Sequence, residues 1–144
     1  IGVAAYPEKH FEAPNLQIDM ENLKYKVDAG ASYIVTQMFF DNPKFFRFCD
    51  ECRKIGINAP IIAGIKPITA LNDIKLLPNT FHIDVPSDLV NSIRKCSTDK
   101  EAREAGIEWA TMQSKELIKE GVPGIHYYTL GRADNIARIV KAAF

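Results

Sequence analysis

The chain has 144 residues, of which 47% are hydrophobic and 25% are charged, a composition typical of one globular domain or part of one. Its 18 basic and 18 acidic residues balance, which excludes the strong positive charge of a nucleic-acid-binding protein or a polybasic membrane patch. The sequence has neither the roughly 20 consecutive apolar residues of a membrane span nor a secretory signal. We therefore expect a cytoplasmic protein with a small-molecule ligand.

Four apolar runs that are typical of strands alternate with helical patterns along the chain. The runs cover residues 1–5, 34–40, 61–65 and 125–130. Such alternation predicts βαβ units and a parallel sheet. The first run begins without a lead-in, so we expect the sequence to be a fragment of a longer chain.

The helices are predicted from apolar periodicity and from their end signals. Leu16, Met20, Leu23 and Val27 recur at helical spacing, which indicates one apolar face, and Gly30 is placed to end that helix. Caps and breakers predict five further helices. One runs from an Asp41 cap to Gly56, one covers residues 70–77 and is closed by Pro78, and one begins at a Ser87 cap. A long helix runs from a capping box at residues 98–101 to Gly121, and the last follows Arg132, with Ile136, Ile139 and Val140 facing inward.

The three cysteines do not indicate a disulfide framework or a metal site. Their odd number leaves at least one thiol without a partner. Cys49 and Cys52 have the CxxC spacing of zinc ligands, but both lie on the apolar face of a helical pattern. Because no second ligand pair is present to complete a zinc site, we interpret both as core residues.

Polar and aromatic side chains occur where three of the predicted strands end. Tyr6 and His10 follow the first strand, Gln37 lies within the second, and Arg132 follows the fourth. The carboxyl ends of parallel strands form the ligand site of α/β proteins, so we expect a shared site. Each residue also has a structural interpretation: loop packing for the aromatic pair, a backbone-bonded core amide for Gln37, and an ion pair for Arg132.

A polar stripe marks the first helix. Asp19, Asn22 and Lys26 are spaced by three and four residues, so they share one helix face. The stripe is either a solvated surface or a ligand contact in which Lys26 neutralises a pyrophosphate and Asp19 accepts hydrogen bonds from hydroxyl groups.

Four segments resemble the methylenetetrahydrofolate reductase family in their order and spacing: AAYPEKH at 4–10, KVDAGA at 26–31, TQMFFD at 36–41 and HYYTLGR at 126–132. The resemblance extends along the whole chain. It implies an α/β fold that is the C-terminal half of a (β/α)8 TIM barrel, with residues 1–144 as a single fragment. Without it, four βα units fit a small open sheet equally well.

The resemblance implies the FAD-dependent reduction of 5,10-methylenetetrahydrofolate to 5-methyltetrahydrofolate with NAD(P)H, in one-carbon metabolism that feeds methionine synthesis. The family's catalytic glutamate belongs to the other half of the barrel, so we predict no catalytic residue here. The sequence also contains no constellation of metal ligands, so we predict no metal site. The implied site residues are Tyr6, His10, Ala13, Asp19, Asn22 and Lys26 for FAD, Gln37 for the pterin ring of the folate, and Arg132 for the folate or nicotinamide substrate. Tyr25, Asp73 and Leu77 depart from the family pattern.

Two other functions are kept as alternatives: a non-catalytic α/β module that binds a nucleotide or a protein, and a barrel enzyme that binds a phosphorylated substrate near Arg132. Half a barrel would leave its first and last strands unpaired and its interior uncovered. We therefore expect the chain alone to be inactive and to self-associate, and the intact protein to be a homo-oligomer.

Overall fold

The computed structural model describes residues 1–131 and 133–144. Arg132, one of the predicted substrate-binding residues, therefore lies outside the described residues. These residues form four strands and six helices in the order β1 (Gly2–Ala5), α1 (Leu16–Asp28), β2 (Tyr33–Met38), α2 (Asn42–Lys54), β3 (Ile61–Ile65), α3 (Asp73–Phe81), α4 (Ser87–Arg94), α5 (Asp99–Lys119), β4 (Ile125–Tyr127) and α6 (Asp134–Ala143). None of these helices combines the length and the apolar character needed to cross a membrane.

The four strands form one parallel sheet in the order β1-β2-β3-β4, as the alternating pattern predicted. Because crossovers between parallel strands are right-handed, this sequential order places the connecting helices on one face of the sheet. A doubly wound open sheet would reverse its strand order and carry helices on both faces. The topology is consistent with part of a TIM barrel.

The two faces of the sheet differ in their burial. Ile34 and Ile65, on the helix side, are 0% exposed. On the other side of β2, Tyr33 is 42% exposed and Val35 and Gln37 are only half-buried. We call the side that carries Tyr33, Val35 and Gln37 the open face.

Two apolar clusters hold the described residues together. The first lies between the sheet and the helices and includes Phe39 and Phe45, whose stacked rings lie 4.8 Å apart. The second lies around α3, α4 and α5 and includes Leu89. Cys52 is fully buried in the first cluster, and Cys49 packs against it, so the interpretation of both as core residues is confirmed. Burial raises the pKa of Cys52 to about 12 and that of Cys49 to about 11.

Several predicted helix ends are confirmed by backbone geometry. Gly30 follows α1 at φ 110, and its N–H donates to the Val27 carbonyl at 2.9 Å, because a residue in this conformation satisfies a terminal carbonyl. Thr98 caps α5, and its hydroxyl oxygen accepts the Glu101 N–H at 3.2 Å. Asp41 occupies the N-cap position of α2 without a side-chain cap bond.

The prediction that Pro78 closes the third helix is wrong. α3 begins at Asp73 and continues through Pro78 to Phe81. A proline lacks a donor but keeps its carbonyl, and the Pro78 carbonyl accepts the His82 N–H at 2.9 Å. His82, in the left-handed region at φ 52, ends the helix instead.

Two further details of the helices also differ from the predictions. Ser87 is the first residue of α4 rather than its cap, because Pro86 takes the N-cap position and accepts the Val90 N–H at 2.9 Å. Val140 does not face inward, since it is 38% exposed whereas Ile139 is fully buried. One residue turns about 100° around a helix, which moves Val140 off the buried side.

We expect the substitution Gly106→Ala to lower the free energy of unfolding by about 1–3 kcal/mol. A Cβ at this position of α5 would lie 2.1 Å from the Ile68 carbonyl oxygen, and backbone atoms cannot move aside as a side-chain tip can. This clash outweighs the helix propensity that alanine adds, about 1 kcal/mol. Urea denaturation measures the change. The control Glu108→Ala, at an exposed position of α5, should stay within about 0.5 kcal/mol of the parent; equal values for both variants would contradict the close approach.

Candidate functional site

The loop after β1 is held in one shape by a lysine. Lys9, at φ 86, donates through its ammonium group to the carbonyls of His10 at 2.9 Å and Ala13 at 2.6 Å. The Ala13 N–H also donates to the His10 carbonyl at 3.0 Å. These bonds set Tyr6 and His10 edge to face, with their ring centroids 4.5 Å apart. The loop therefore presents two aromatic rings at the carboxyl end of β1.

Helix α1 adds two charged side chains to this loop. The Asp19 carboxylate accepts the His10 N–H at 2.8 Å, and the Lys26 ammonium group donates to the Ala4 carbonyl at 3.2 Å. Asn22 is exposed on the same stretch of α1. Five of the residues predicted to bind FAD, Tyr6, His10, Ala13, Asp19 and Lys26, are thus gathered around the end of β1, whereas Asn22 is connected to them only through helix α1.

The space between these residues is small. Tyr6, Asp19 and Lys26 border a cleft of about 10 Å³. A larger groove of about 650 Å³ lies between α1 and α2 and contains none of the predicted site residues; it is lined by Leu16, Gln17, Met20, Glu21, Lys24, Tyr25, Asp28, Glu51 and Ile55. We place the candidate site at the strand ends, where polar groups converge, because the ligands of parallel α/β folds bind there.

Gln37 lies at an irregular point of β2. The pairing of β2 with β3 shifts between Val35 and Met38, and the Gln37 side-chain oxygen accepts the Met38 N–H at 3.0 Å. The amide oxygen therefore has the backbone partner that the structural interpretation of Gln37 requires. Since the side chain is only half-buried, a contact to a ligand on the open face is compatible with this bond.

Tyr128 connects the last strand to the second. Its hydroxyl donates to the Thr36 carbonyl at 2.9 Å, and its ring lies where a Cβ on Gly64 would come within 3.0 Å of it. Burial raises the pKa of Tyr128, and the nearby Tyr6 phenol raises it further. Tyr6 and Tyr128 therefore lie close together at the same end of the sheet.

The chain after β4 leaves the extended conformation earlier than predicted. β4 ends at Tyr127, and Leu130 and Gly131 both have positive φ, 46 and 82. A leucine in the left-handed region is strained, and such strain concentrates at functional sites. His126 is exposed and packs its ring edge to face on Tyr128, with the ring centroids 4.7 Å apart.

Glu8 is a half-buried residue whose side chain is 9% exposed and whose contacts the sequence did not reveal. Its carboxylate accepts the Asp84 N–H at 2.8 Å and lies 3.2 Å from the Lys44 ammonium group, which also pairs with Asp84. Burial raises the pKa of Glu8, against the lowering effects of the Asp84 N–H and Lys44. The cluster ties the loop after β1 to α2 and to the loop between α3 and α4, and only this long-range contact identifies it.

Lys66 and Asp73 form a second buried group. Lys66 follows β3 directly and is 5% exposed, with its ammonium group 3.9 Å from the Asp73 carboxylate. The same Asp73 oxygen accepts the N–H groups of Thr69 at 2.7 Å and Ala70 at 3.2 Å, so Asp73 closes the loop before α3. Leu77 is 3% exposed in the second apolar cluster. Within the part of the chain that the structure describes, no three His, Cys, Asp or Glu side chains converge to hold a metal ion.

Comparison with known proteins gives consistent relatives. The chain is 36% identical over 144 residues to a probable methylenetetrahydrofolate reductase (NADPH) from Caenorhabditis elegans, covering 99% of this chain and 22% of that protein. It is 42% identical over 135 residues to a 5,10-methylenetetrahydrofolate reductase from Salmonella typhimurium, covering 93% of this chain and 46% of that protein. The chain thus spans less than half the length of these two curated relatives.

A solved structure shares the fold. It is described as an uncharacterized protein from Clostridium thermocellum that binds two copies of 5-methyl-5,6,7,8-tetrahydrofolic acid, and it matches with a TM-score of 0.61 at 18% identity, over 99% of this chain and 51% of that chain. The family model described as methylenetetrahydrofolate reductase matches residues 1–143. Since that match covers nearly the whole sequence, this chain belongs to the methylenetetrahydrofolate reductase family.

Proposed function

We propose that the protein containing this chain is an FAD-dependent enzyme that reduces 5,10-methylenetetrahydrofolate to 5-methyltetrahydrofolate with NAD(P)H. The observation that carries the proposal is the gathering of Tyr6, His10, Asp19 and Lys26 at the carboxyl end of β1, next to the strand that holds Gln37. Ala5 pairs with Thr36, so the residues after them continue side by side.

The residues around β1 fit one wall of an FAD site. Lys26 and Asn22 are exposed, so a pyrophosphate can approach the ammonium group and an amide lies one turn away. The rings of Tyr6 and His10 suit a flat heterocycle. Since the cleft measures about 10 Å³, the cofactor would lie across this surface rather than within it. Bound FAD would supply hydride transfer between nicotinamide and folate.

The folate would contact the open face of the sheet through Gln37. A side-chain amide offers both a donor and an acceptor, which complements the edge of a pterin ring. Tyr128 is a neutral phenol at neutral pH, as any ordinary tyrosine is, and burial raises its pKa further. The proton donor of the reaction is assigned to no residue of this chain, and the resemblance attributes it to the other half of the barrel.

Residues 1–144 would form the second half of the catalytic barrel. β1 and β4 are the edges of the sheet, and four more strands would pair with both edges and cover the open face. We extend the proposal to a cytoplasmic location, which the free thiols of Cys49, Cys52 and Cys96 support, and to a homo-oligomer.

The function is tested by purifying the protein that contains this chain. We expect flavin absorbance and oxidation of NADH or NADPH that depends on 5,10-methylenetetrahydrofolate. Folate or nucleotide binding without bound flavin and without turnover would instead favour the non-catalytic module, and would reject the reductase.

We expect Gln37→Ala to weaken folate binding by about 1–3 kcal/mol, because buried hydrogen bonds to a polar ligand are lost. FAD binding should change less. Titrations of folate and of FAD into the variant protein measure both. The control is Gln17→Ala, an exposed amide of α1 that bonds Glu21, which should leave both affinities unchanged. Unaltered folate affinity together with loss of FAD would show that Gln37 serves the cofactor.

We expect Lys26→Ala to weaken FAD binding more at low salt than at high salt, since a charge contact to pyrophosphate is screened by ions. Lys24→Ala is the matched control, because Lys24 lies on the same helix and pairs with Asp28 at 2.5 Å. Flavin mononucleotide, which lacks the second phosphate and the adenosine, should be less affected than FAD. Equal weakening of both flavins would contradict the pyrophosphate contact.

A further inference from the structure

A cavity of about 190 Å³ lies at the carboxyl ends of β3 and β4. Its volume holds several water molecules at about 30 Å³ each, which is room for a carboxylate or a phosphate group. We call it the Lys66 pocket, and it is lined by Lys66, Thr69, Tyr128, Thr129, Leu130 and Asn135. Thr129 and Leu130 are exposed, so this side of the pocket can be reached from solvent.

The Lys66 ammonium group is buried with fewer acceptors than it has protons. It carries three N–H donors, and within the described residues it meets one acceptor, the Pro67 carbonyl at 3.3 Å, and one carboxylate, Asp73 at 3.9 Å. The Asp73 oxygen already accepts three hydrogen bonds, two from Thr69 and one from Ala70. Burial lowers the pKa of Lys66, and the smaller opposing effect of the Asp73 carboxylate does not restore it.

A buried cation with unmet donors is unfavourable unless another negative group completes its coordination. Asp73 cannot approach closer without giving up the bonds that close its loop. Lys66 lines the pocket, so a ligand oxyanion bound there would accept the hydrogen bonds of the ammonium group that the protein does not satisfy.

The other side of the pocket also favours negative charge. α6 begins at Asp134, and its N-cap, Ala133, has no side-chain acceptor for the first N–H groups. The first turn of α6 contains the acidic Asp134 but no side-chain cap bond, so its N–H groups lack a side-chain acceptor, and the start of a helix favours a further anion. Asn135, in that first turn, is 8% exposed and lines the pocket.

We propose that the Lys66 pocket binds an oxyanion, a carboxylate or phosphate group, of the ligand that occupies the carboxyl end of the sheet. An anion site is indicated by the geometry around Lys66, whereas the identity of the ligand rests on the proposed function. A carboxylate bound in the pocket would come from the glutamate of the folate, and a phosphate would come from the nicotinamide dinucleotide.

The first test needs no substrate. Inorganic phosphate and glutarate are added separately to the protein that contains this chain, and the lysine Cε–Hε NMR signals are followed. The Lys66 signal is assigned by its absence in Lys66→Met, and it should move and saturate, while that of exposed Lys75 should not. Lys66→Met should fold, because it replaces a buried charge with an apolar chain of similar length. A Lys66 signal that neither anion moves would overturn the proposal.

The second test separates the two sources of the oxyanion. Lys66→Met should weaken either 5-methyltetrahydrofolate or NADPH at least ten-fold, and should not affect the same ligand without its glutamate or without its phosphates. Lys66→Arg, which keeps the charge, should retain part of the affinity. Wild-type affinity of Lys66→Met for both ligands would refute the substrate contact. If neither ligand binds the wild type but phosphate or glutarate still moves Lys66, the proposed function fails and the pocket remains supported.

Discussion

Sequential parallel pairing of four strands is the constraint on which the rest of this structure depends. Because each strand pairs with the next one along the chain, every right-handed crossover returns on the same side. The helices and the first apolar cluster therefore lie on one face, and polar or half-buried side chains are left on the other. The same arrangement brings the loops after β1, β2, β3 and β4 to one edge, where the candidate site lies.

Features governed by neighbouring residues could be predicted from the sequence. Alternating apolar runs indicated all four strands, and the end of α1 at Gly30 follows from a local backbone preference. The errors arose where a local rule competed with packing. Pro78 was expected to break a helix, but Leu77 and Ile83 on either side of it are buried in the second apolar cluster, and this packing keeps the turn helical.

The candidate site was only partly visible in the sequence, for the same reason. Tyr6 and His10 belong to one motif and Lys26 to the next, both with recognisable spacing, so their meeting at β1 could be expected. Glu8 lies in the first of these motifs, but nothing in the motif indicated its long-range partner, and Lys66 lay in no motif at all. The burial of Glu8 depends on an Asp84 N–H 76 residues away, and that of Lys66 on how the loops after β3 and β4 enclose it. Single-sequence patterns carry little information about contacts of this range.

The bond between Tyr128 and Thr36 has a consequence for the edge of the sheet. β4 has only three residues, yet the phenol that follows it reaches across β3 to a carbonyl of β2. The ring can pass there because Gly64 has no side chain, and a Cβ would lie 2.2 Å from the Thr36 oxygen. The absence of a Cβ at Gly64 thus lets the Tyr128 side chain connect the short strand β4 to β2, a strand with which β4 does not pair. Any larger residue at position 64 would separate the phenol from the Thr36 carbonyl and leave β4, with the loop that borders the Lys66 pocket, held to the sheet by its pairing with β3 alone.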